Sequence, residues 1–201
     1  MGRKGETMNQ FYDEERAVQA LSYLAYRAVG QTITKLVALK LIFLADRYHL
    51  RKYGRTILDD EYRAMKYGPV AMKTKRLMEH LAITGRDPAG TIAVEKLPGD
   101  RLAIHPLLTP DTRKLSETDI EALDCSLKQL FLHADIVDFT HQFPEWKKHK
   151  EALDRGAPSV RMDYRDFFLP CDVPGADYCN AARNLVDMNR DFFEEDLLWS
   201  L

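Results

Sequence analysis

Thr34-Lys35-Leu36-Val37-Ala38-Leu39-Lys40-Leu41-Ile42-Phe43-Leu44-Ala45-Asp46-Arg47-Tyr48-His49-Leu50-Arg51-Lys52-Tyr53-Gly54 is the stretch that decides the fold. Between Leu36 and Ala45 only Lys40 interrupts the apolar run. A helix with almost no polar face belongs in the middle of a fold, surrounded by other elements. Thr34 is suited to cap its first turn and Gly54 to end it in a left-handed conformation, so the spacing predicts a helix over Lys35–Tyr53. The run is far shorter than the roughly 20 apolar residues that cross a bilayer. From Asp46 onward the stretch is strongly charged, which predicts a basic exit from the core toward solvent or a partner. A buried Lys40 ammonium must meet a carboxylate, reach the rim on its four-carbon stem, or lose its proton.

Outward from this helix the pattern stays helical. Val18, Leu21, Leu24, Ala25 and Ala28 recur at helical spacing behind a candidate N-cap, Asp13, with Gly30 as the stop. Tyr67-Gly68-Pro69-Val70 reads as a turn in which Pro69 opens a third helix running to about Leu81 and ended by Gly85. Thr91–Val94 and Arg101–Ile104, either side of Leu97-Pro98-Gly99-Asp100, predict a small hairpin. Ser116-Glu117-Thr118-Asp119 is a capping-box-like start for a helix to about Leu132, with Ile120, Leu123, Leu127, Leu130 and Phe131 as its buried stripe. Asp135 caps a short helix through Thr140-His141, and Pro144 begins another, Glu145 to Leu153, closed by Gly156. A loop rich in proline and aromatic residues, Tyr164 to Pro174, leads to a last helix from about Ala176 to Glu195, with Leu185, Met188 and Phe192 at helical spacing. The expected architecture is mainly α: behind an N-terminal tail, 1–12, a single compact helical domain, 13–201, surrounds the buried central helix and carries one small β-hairpin.

Composition bounds the function. At 201 residues, 45% apolar and 30% charged, the chain is long enough for one real core and unlike a disordered chain. Cys125, Cys171 and Cys179 are an odd number without a CxxC, which argues against a disulfide scaffold. The N-terminus lacks the apolar region of a secretory signal, so a cytoplasmic protein with no membrane partner is expected. A formal charge of -2 removes the global argument for a nucleic-acid binder. The charge is unevenly placed, however. Twelve Lys or Arg face five acids between Lys35 and Arg86, a balance of +7, whereas two Arg face six acids between Asp177 and Asp196, a balance of -4. Two readings stay open: a basic surface for an acidic partner, or an acidic tail folded back over the basic middle.

Catalytic spacing is missing. There is no HExxH, no HxH and no close Cys pair, and His133, His141 and His149, the last two flanking Trp146, read as solvated or core histidines. No metal or cofactor is expected. Neither Gly54, followed by Arg55, nor Gly68, followed by Pro69, offers a run of backbone donors to a phosphate. No serine elbow or Cys-His pair with an orienting acid is visible, so no catalytic residue is assigned. A hydrolase with an unmarked Cys/His or carboxylate site is the remaining enzyme reading, and alkylation-sensitive activity would be its sign. Tyr67 and Trp146, amphipathic rings beside turns, are of the kind that anchor interfaces or finish a core.

Ala38 through Arg55, followed by Ala64-Met65-Lys66-Tyr67-Gly68-Pro69-Val70, closely resembles the signature of the Panacea domain, the SocA-like antitoxin family. Leu115-Ser116-Glu117, Phe139-Thr140-His141, Pro144 and Trp146 extend the likeness, which covers roughly Asp13 to Leu153 in order. The stretch 154–201, an aromatic loop and an acidic helix, is not matched to the family. Where many relatives have a tyrosine this chain has Phe43, which keeps packing and loses a hydroxyl. The resemblance implies a mostly helical, non-enzymatic protein of bacterial and phage toxin-antitoxin pairs that neutralises a toxin encoded beside it by direct binding. It also implies a variant mechanism, an adaptor that delivers the toxin to an ATP-dependent protease.

On this reading Arg47, Arg51, Lys52 and Arg55 form a basic contact stripe, joined by Tyr67 and Trp146 as partner-binding residues. Lys40, Asp46, Gly54, Gly68, Pro69, Thr140 and His141 are motif residues with structural roles. The alternative is a nucleic-acid-associated phage or mobile-element protein using the basic region 35–86, whose binding would weaken steeply with salt.

Overall fold

The structure, a computed structural model, describes residues 12–99, 101–171 and 181–199. In chain order the elements are α1 (Glu14–Arg27), β1 (Ile33–Thr34), α2 (Lys35–Tyr53), β2 (Tyr62–Met65), β3 (Gly68–Ala71), α3 (Met72–Thr84), β4 (Ile92–Leu97) and β5 (Arg101–Pro106). They continue with α4 (Glu117–Leu132), α5 (Ile136–His141), α6 (Pro144–Lys147), α7 (Lys150–Asp154), β6 (Val160–Arg161) and α8 (Arg183–Trp199), with a 3-10 turn at Tyr164–Phe168 before α8. The fold is mainly α.

The helix read first from the sequence is the axis of the molecule. Every side chain of α2 from Ala38 to Arg51 is buried. Thr34 caps it, its hydroxyl accepting from the Val37 N–H, and Gly54, at φ +75°, ends it with its N–H on the Leu50 carbonyl. α1, α4, α5, α8, β3 and the 3-10 turn pack around it. At its centre Phe43 meets the edges or faces of Tyr62, Phe143 and Phe167 with ring centroids 5.9, 5.9 and 5.5 Å away. Asp13 caps α1 through the Arg16 N–H, and Ser116 and Asp119 complete a reciprocal capping box on α4.

The strands form two three-stranded antiparallel sheets, ordered β1-β5-β4 and β3-β2-β6, in place of the single hairpin expected. The second hairpin was hidden by Pro69. It lies in β3, opposite Ala64, on an edge strand where a missing N–H is tolerated. Helix α3 accordingly starts at Met72. Its cap comes from Asp60, whose carboxylate accepts from the N–H groups of Lys73 (2.6 Å) and Thr74 (2.8 Å) and from the Thr74 hydroxyl (2.7 Å). A cap that far back along the chain has no local signature, whereas proline before an apolar run has one.

Three smaller expectations change. Phe131 is 69% exposed although Leu123 and Leu127 on the same helix are buried, because the residue after Leu130 is turned about 100° around the axis. The helix expected over Glu145–Leu153 is two short ones, α6 and α7. On α8 the face toward the core carries Val186, Asn189 and Phe193, so the Leu185-Met188-Phe192 spacing marks the other side, with Met188 and Phe192 exposed. The expected start of that helix, from Ala176, the N-terminal tail up to Phe11, and Cys179 lie outside the described residues.

Candidate functional site

Five of the seven motif residues, Lys40, Gly68, Pro69, Thr140 and His141, gather at the turn that joins β2 to β3. Met65 and Gly68 close the hairpin, leaving Lys66 and Tyr67 at its tip. On the inner side two side chains hold the two strands by their carbonyls. Lys40 Nζ, from α2, donates to the Pro69 oxygen at 2.8 Å, and Trp146 Nε1, from α6, donates to the Met65 oxygen at 3.0 Å. Gly68 has φ +97°, and a Cβ there would lie 2.7 Å from Lys40 Nζ and 3.0 Å from Thr140 Oγ1. Thr140 is itself fixed on α5 by donating to the Val137 carbonyl at 3.0 Å. His141 stacks on the Trp146 ring, centroids 3.9 Å apart and planes 15° from parallel. Three helices therefore grip one turn, and Tyr67 projects from it, 60% exposed, with the Lys66 ammonium 5.7 Å from its ring.

Lys40 resolves the question its position raised. Among the described residues no carboxylate lies within ion-pair distance of it, and its stem does not reach the rim. Burial pushes its pKa down to about 7. Burial also lowers His141, and the charge of Lys40 adds to that shift. Nearly two turns along α2 the fully buried Asp46 accepts from the N–H groups of Ile57 (2.7 Å) and Leu58 (3.4 Å) and from the Tyr62 hydroxyl (2.8 Å). Burial lifts Asp46 to about 7 against the opposing pull of those hydrogen bonds. It ties the loop after α2 to β2.

The expected basic contact stripe is placed differently. Arg47 is buried: it pairs with the buried Glu145, lies 4.8 Å from the centre of the Phe143 ring, and donates to the Leu169 carbonyl at 3.1 Å. Arg51 is buried too and donates to the carbonyls of Phe167 (2.9 Å) and Leu169 (3.0 Å). Burial and the neighbouring Arg47 lower Arg51 to about 10. Guanidinium groups fit such a place because a fork of donors can satisfy several carbonyls at once. Trp146, the other predicted anchor, is only 5% exposed. Lys52 and Arg55 reach the surface but are engaged, Lys52 with Glu121 at 2.5 Å and Arg55 with Asp119 at 2.9 Å. Of the six expected contact residues, Tyr67 is the one that stands clear of the body.

Three acids from outside the +7 region, Glu145, Glu121 and Asp119, thus pair with its cations, while at the surface Lys35 and Lys75 share Glu79 and Arg63 meets Glu61, acids already counted in that balance. The residues missed from sequence are partners across long separations: Glu145 for Arg47, Tyr62 for Asp46, and Asn189, whose amide donates to the Arg51 carbonyl at 3.0 Å and whose Oδ1 would lie 3.1 Å from a Cβ at Gly54. No spacing rule links residues so far apart.

Among the described residues no group of three His, Cys, Asp or Glu side chains is arranged to hold a metal ion, and no helix is long and apolar enough to cross a membrane. A half-open groove of about 930 Å³ between α1 and α3, lined by Val18, Leu77, His80, Arg113 and Lys114 among others, shares no lining residue with the turn. The chemistry of the turn is donation by buried side chains to backbone carbonyls, which shapes a surface.

A family model for the SocA-like antitoxin, Panacea domain, matches residues 39–147. No curated protein and no solved structure matches the chain. The matched segment contains every residue of the grip on the turn and ends just after Trp146, before α7, β6 and α8.

Proposed function

The chain belongs to the SocA-like antitoxin family with a Panacea domain, and from that premise we propose that it neutralises a cognate toxin by binding it directly. The observation that carries the reading is the clamped turn: Lys40 and Trp146 fix the carbonyls on either side of an exposed Tyr67. A rigid, amphipathic ring costs little conformational entropy on docking, which is why such rings anchor interfaces. In this proposal Tyr67 touches the toxin, Lys52 and Arg55 are charged contacts near the far end of α2, and Arg47, Arg51 and Trp146 position the elements that carry them. Residues 13–201 act as one unit in the cytoplasm. Burial of Lys40, Arg47 and Arg51 and the pairing of Lys52 and Arg55 with Glu121 and Asp119 withdraw five cations of the +7 region from any phosphate backbone, which supports a protein partner over nucleic acid.

The test is a rescue assay. Each reading frame neighbouring this one in its source genome is expressed alone and then with this protein, and growth and co-purification are followed. One neighbour that arrests growth, is rescued and elutes as a complex supports the proposal. Rescue that fails in cells lacking ATP-dependent proteases, with the toxin then accumulating, assigns the adaptor mechanism. If no neighbour is toxic or bound, the reading fails, and salt-dependent binding to nucleic acid becomes the competing measurement.

A further inference from the structure

Helix α8 has two apolar sides. The inner one is docked: Val186 is buried, Asn189 is bonded to the Arg51 carbonyl, and Phe193 lies against Phe168 and Tyr164 with centroids 5.7 and 6.4 Å away. The outer one carries Met188 and Phe192, one turn apart and 46% and 60% exposed. A surface helix needs one apolar stripe, and a second facing water calls for a partner. Acids border this second stripe: Asp191 and Glu195 stand beside it on the helix, both exposed, with Asp187 and Asp191 sharing Arg190 at 3.4 and 3.2 Å, while Glu194 lies further round and acts electrostatically on Arg165.

That rim selects the occupant. A second copy docking face to face would bring acid against acid, and a phosphate backbone or an anionic lipid surface would be repelled in the same way. A cationic protein surface would be attracted. The helix is held in place by the Asn189 bond, so the face is preorganised, and it lies outside the segment shared with the family. We propose that the Met188-Phe192 face of α8 is a second docking surface for the toxin, and that the toxin meets it with an apolar cleft rimmed by Lys or Arg. This rests on the antitoxin reading. It assigns pairing specificity to the helix and leaves the Tyr67 turn as the contact common to the fold.

The experiment uses the full chain and the toxin found by rescue, with affinity and association rate measured by surface binding at low and high salt. Met188→Ala with Phe192→Ala is expected to weaken binding about tenfold or more, with the thermal midpoint of the free protein unchanged. Asp191→Lys with Glu195→Lys is expected to slow association severalfold at low salt and to leave it unchanged at high salt. Wild-type affinity in both variants, with rescue intact, overturns the inference and leaves the antitoxin reading standing. Self-association of the free chain that is lost with Phe192→Ala also overturns it, in favour of a second copy. Failure of the wild-type chain to bind any neighbouring product overturns both.

Discussion

Lys40 Nζ fills the space that a side chain at position 68 would need, 2.7 Å from where a Cβ on Gly68 would stand. The two residues belong to different elements, α2 and β3, and the contact lets the ammonium reach the Pro69 carbonyl at the sheet edge. An edge strand exposes unpaired carbonyls, and a buried lysine here satisfies one of them.

Gly68→Ala is therefore expected to destabilise the protein. A non-glycine residue at φ +97° costs about 1–3 kcal/mol before any collision is counted. The added methyl would also displace the lysine from its acceptor. Lys40→Met removes the charged end of the collision, so the double variant should lose less than the two single losses summed, by about 0.5–3 kcal/mol. Urea denaturation of the four proteins decides it, and strictly additive losses would show that the close approach carries no energy.

Stability should pass through a minimum near pH 7. Asp46, lifted to about 7 from 3.8, holds a proton when folded that it has lost when unfolded, so between those values its contribution falls as pH rises. Lys40, lowered to about 7 from 10.5, is neutral when folded and charged when unfolded across that upper window, so the penalty of its burial is relieved as pH rises. Each slope reaches at most about 1.4 kcal/mol per pH unit. In denaturation curves recorded from pH 4 to 10, Asp46→Asn should flatten the falling limb and Lys40→Met the rising one. Curves unchanged in shape by either substitution would refute the assignment.

Glu145→Leu leaves Arg47 charged, buried and short of its carboxylate, and should cost about 3–5 kcal/mol. Arg47→Met together with Glu145→Leu should recover most of that loss, because an apolar pair of similar volume has no desolvation penalty. Thermal melts of the parent and the two variants measure this. A single variant as stable as the parent would mean that the guanidinium is sufficiently satisfied by the Leu169 carbonyl.

Tyr67→Ala and Trp146→Phe separate contact from support. The first removes an exposed ring and should change stability by no more than about 0.5 kcal/mol while weakening toxin binding about tenfold or more. The second takes a donor from the Met65 carbonyl and should cost about 1–3 kcal/mol in stability. Equal losses of stability in the two variants would contradict the division of roles.

How much was legible follows from how local each signal is. Thr34, Gly54, Ser116 and Asp119 act on residues within a turn or two of themselves, and the helices they bound came out as read. Pro69 misled because its edge-strand position is created by β2, and the α3 cap sits on Asp60. The basic exit misled for a related reason. Charge in a sequence is read as exposure, yet Arg47 and Arg51 are buried by Glu145 and by carbonyls of the Phe167–Leu169 segment, contributed from far along the chain.

The sequence by itself determined the buried central helix, the mainly α class, the small hairpin of β4 and β5, and the motif words that place the chain in its family. Helix periodicity, capping and turn chemistry are short-range effects, written into neighbouring residues. Only the tertiary structure decided that Lys40 and Trp146 grip one turn, that the arginines face inward, and which side of α8 meets the core. Those outcomes depend on which carbonyls and carboxylates long-range folding brings within hydrogen-bond distance, and burial then settles whether a charge is paired, neutralised or left facing water.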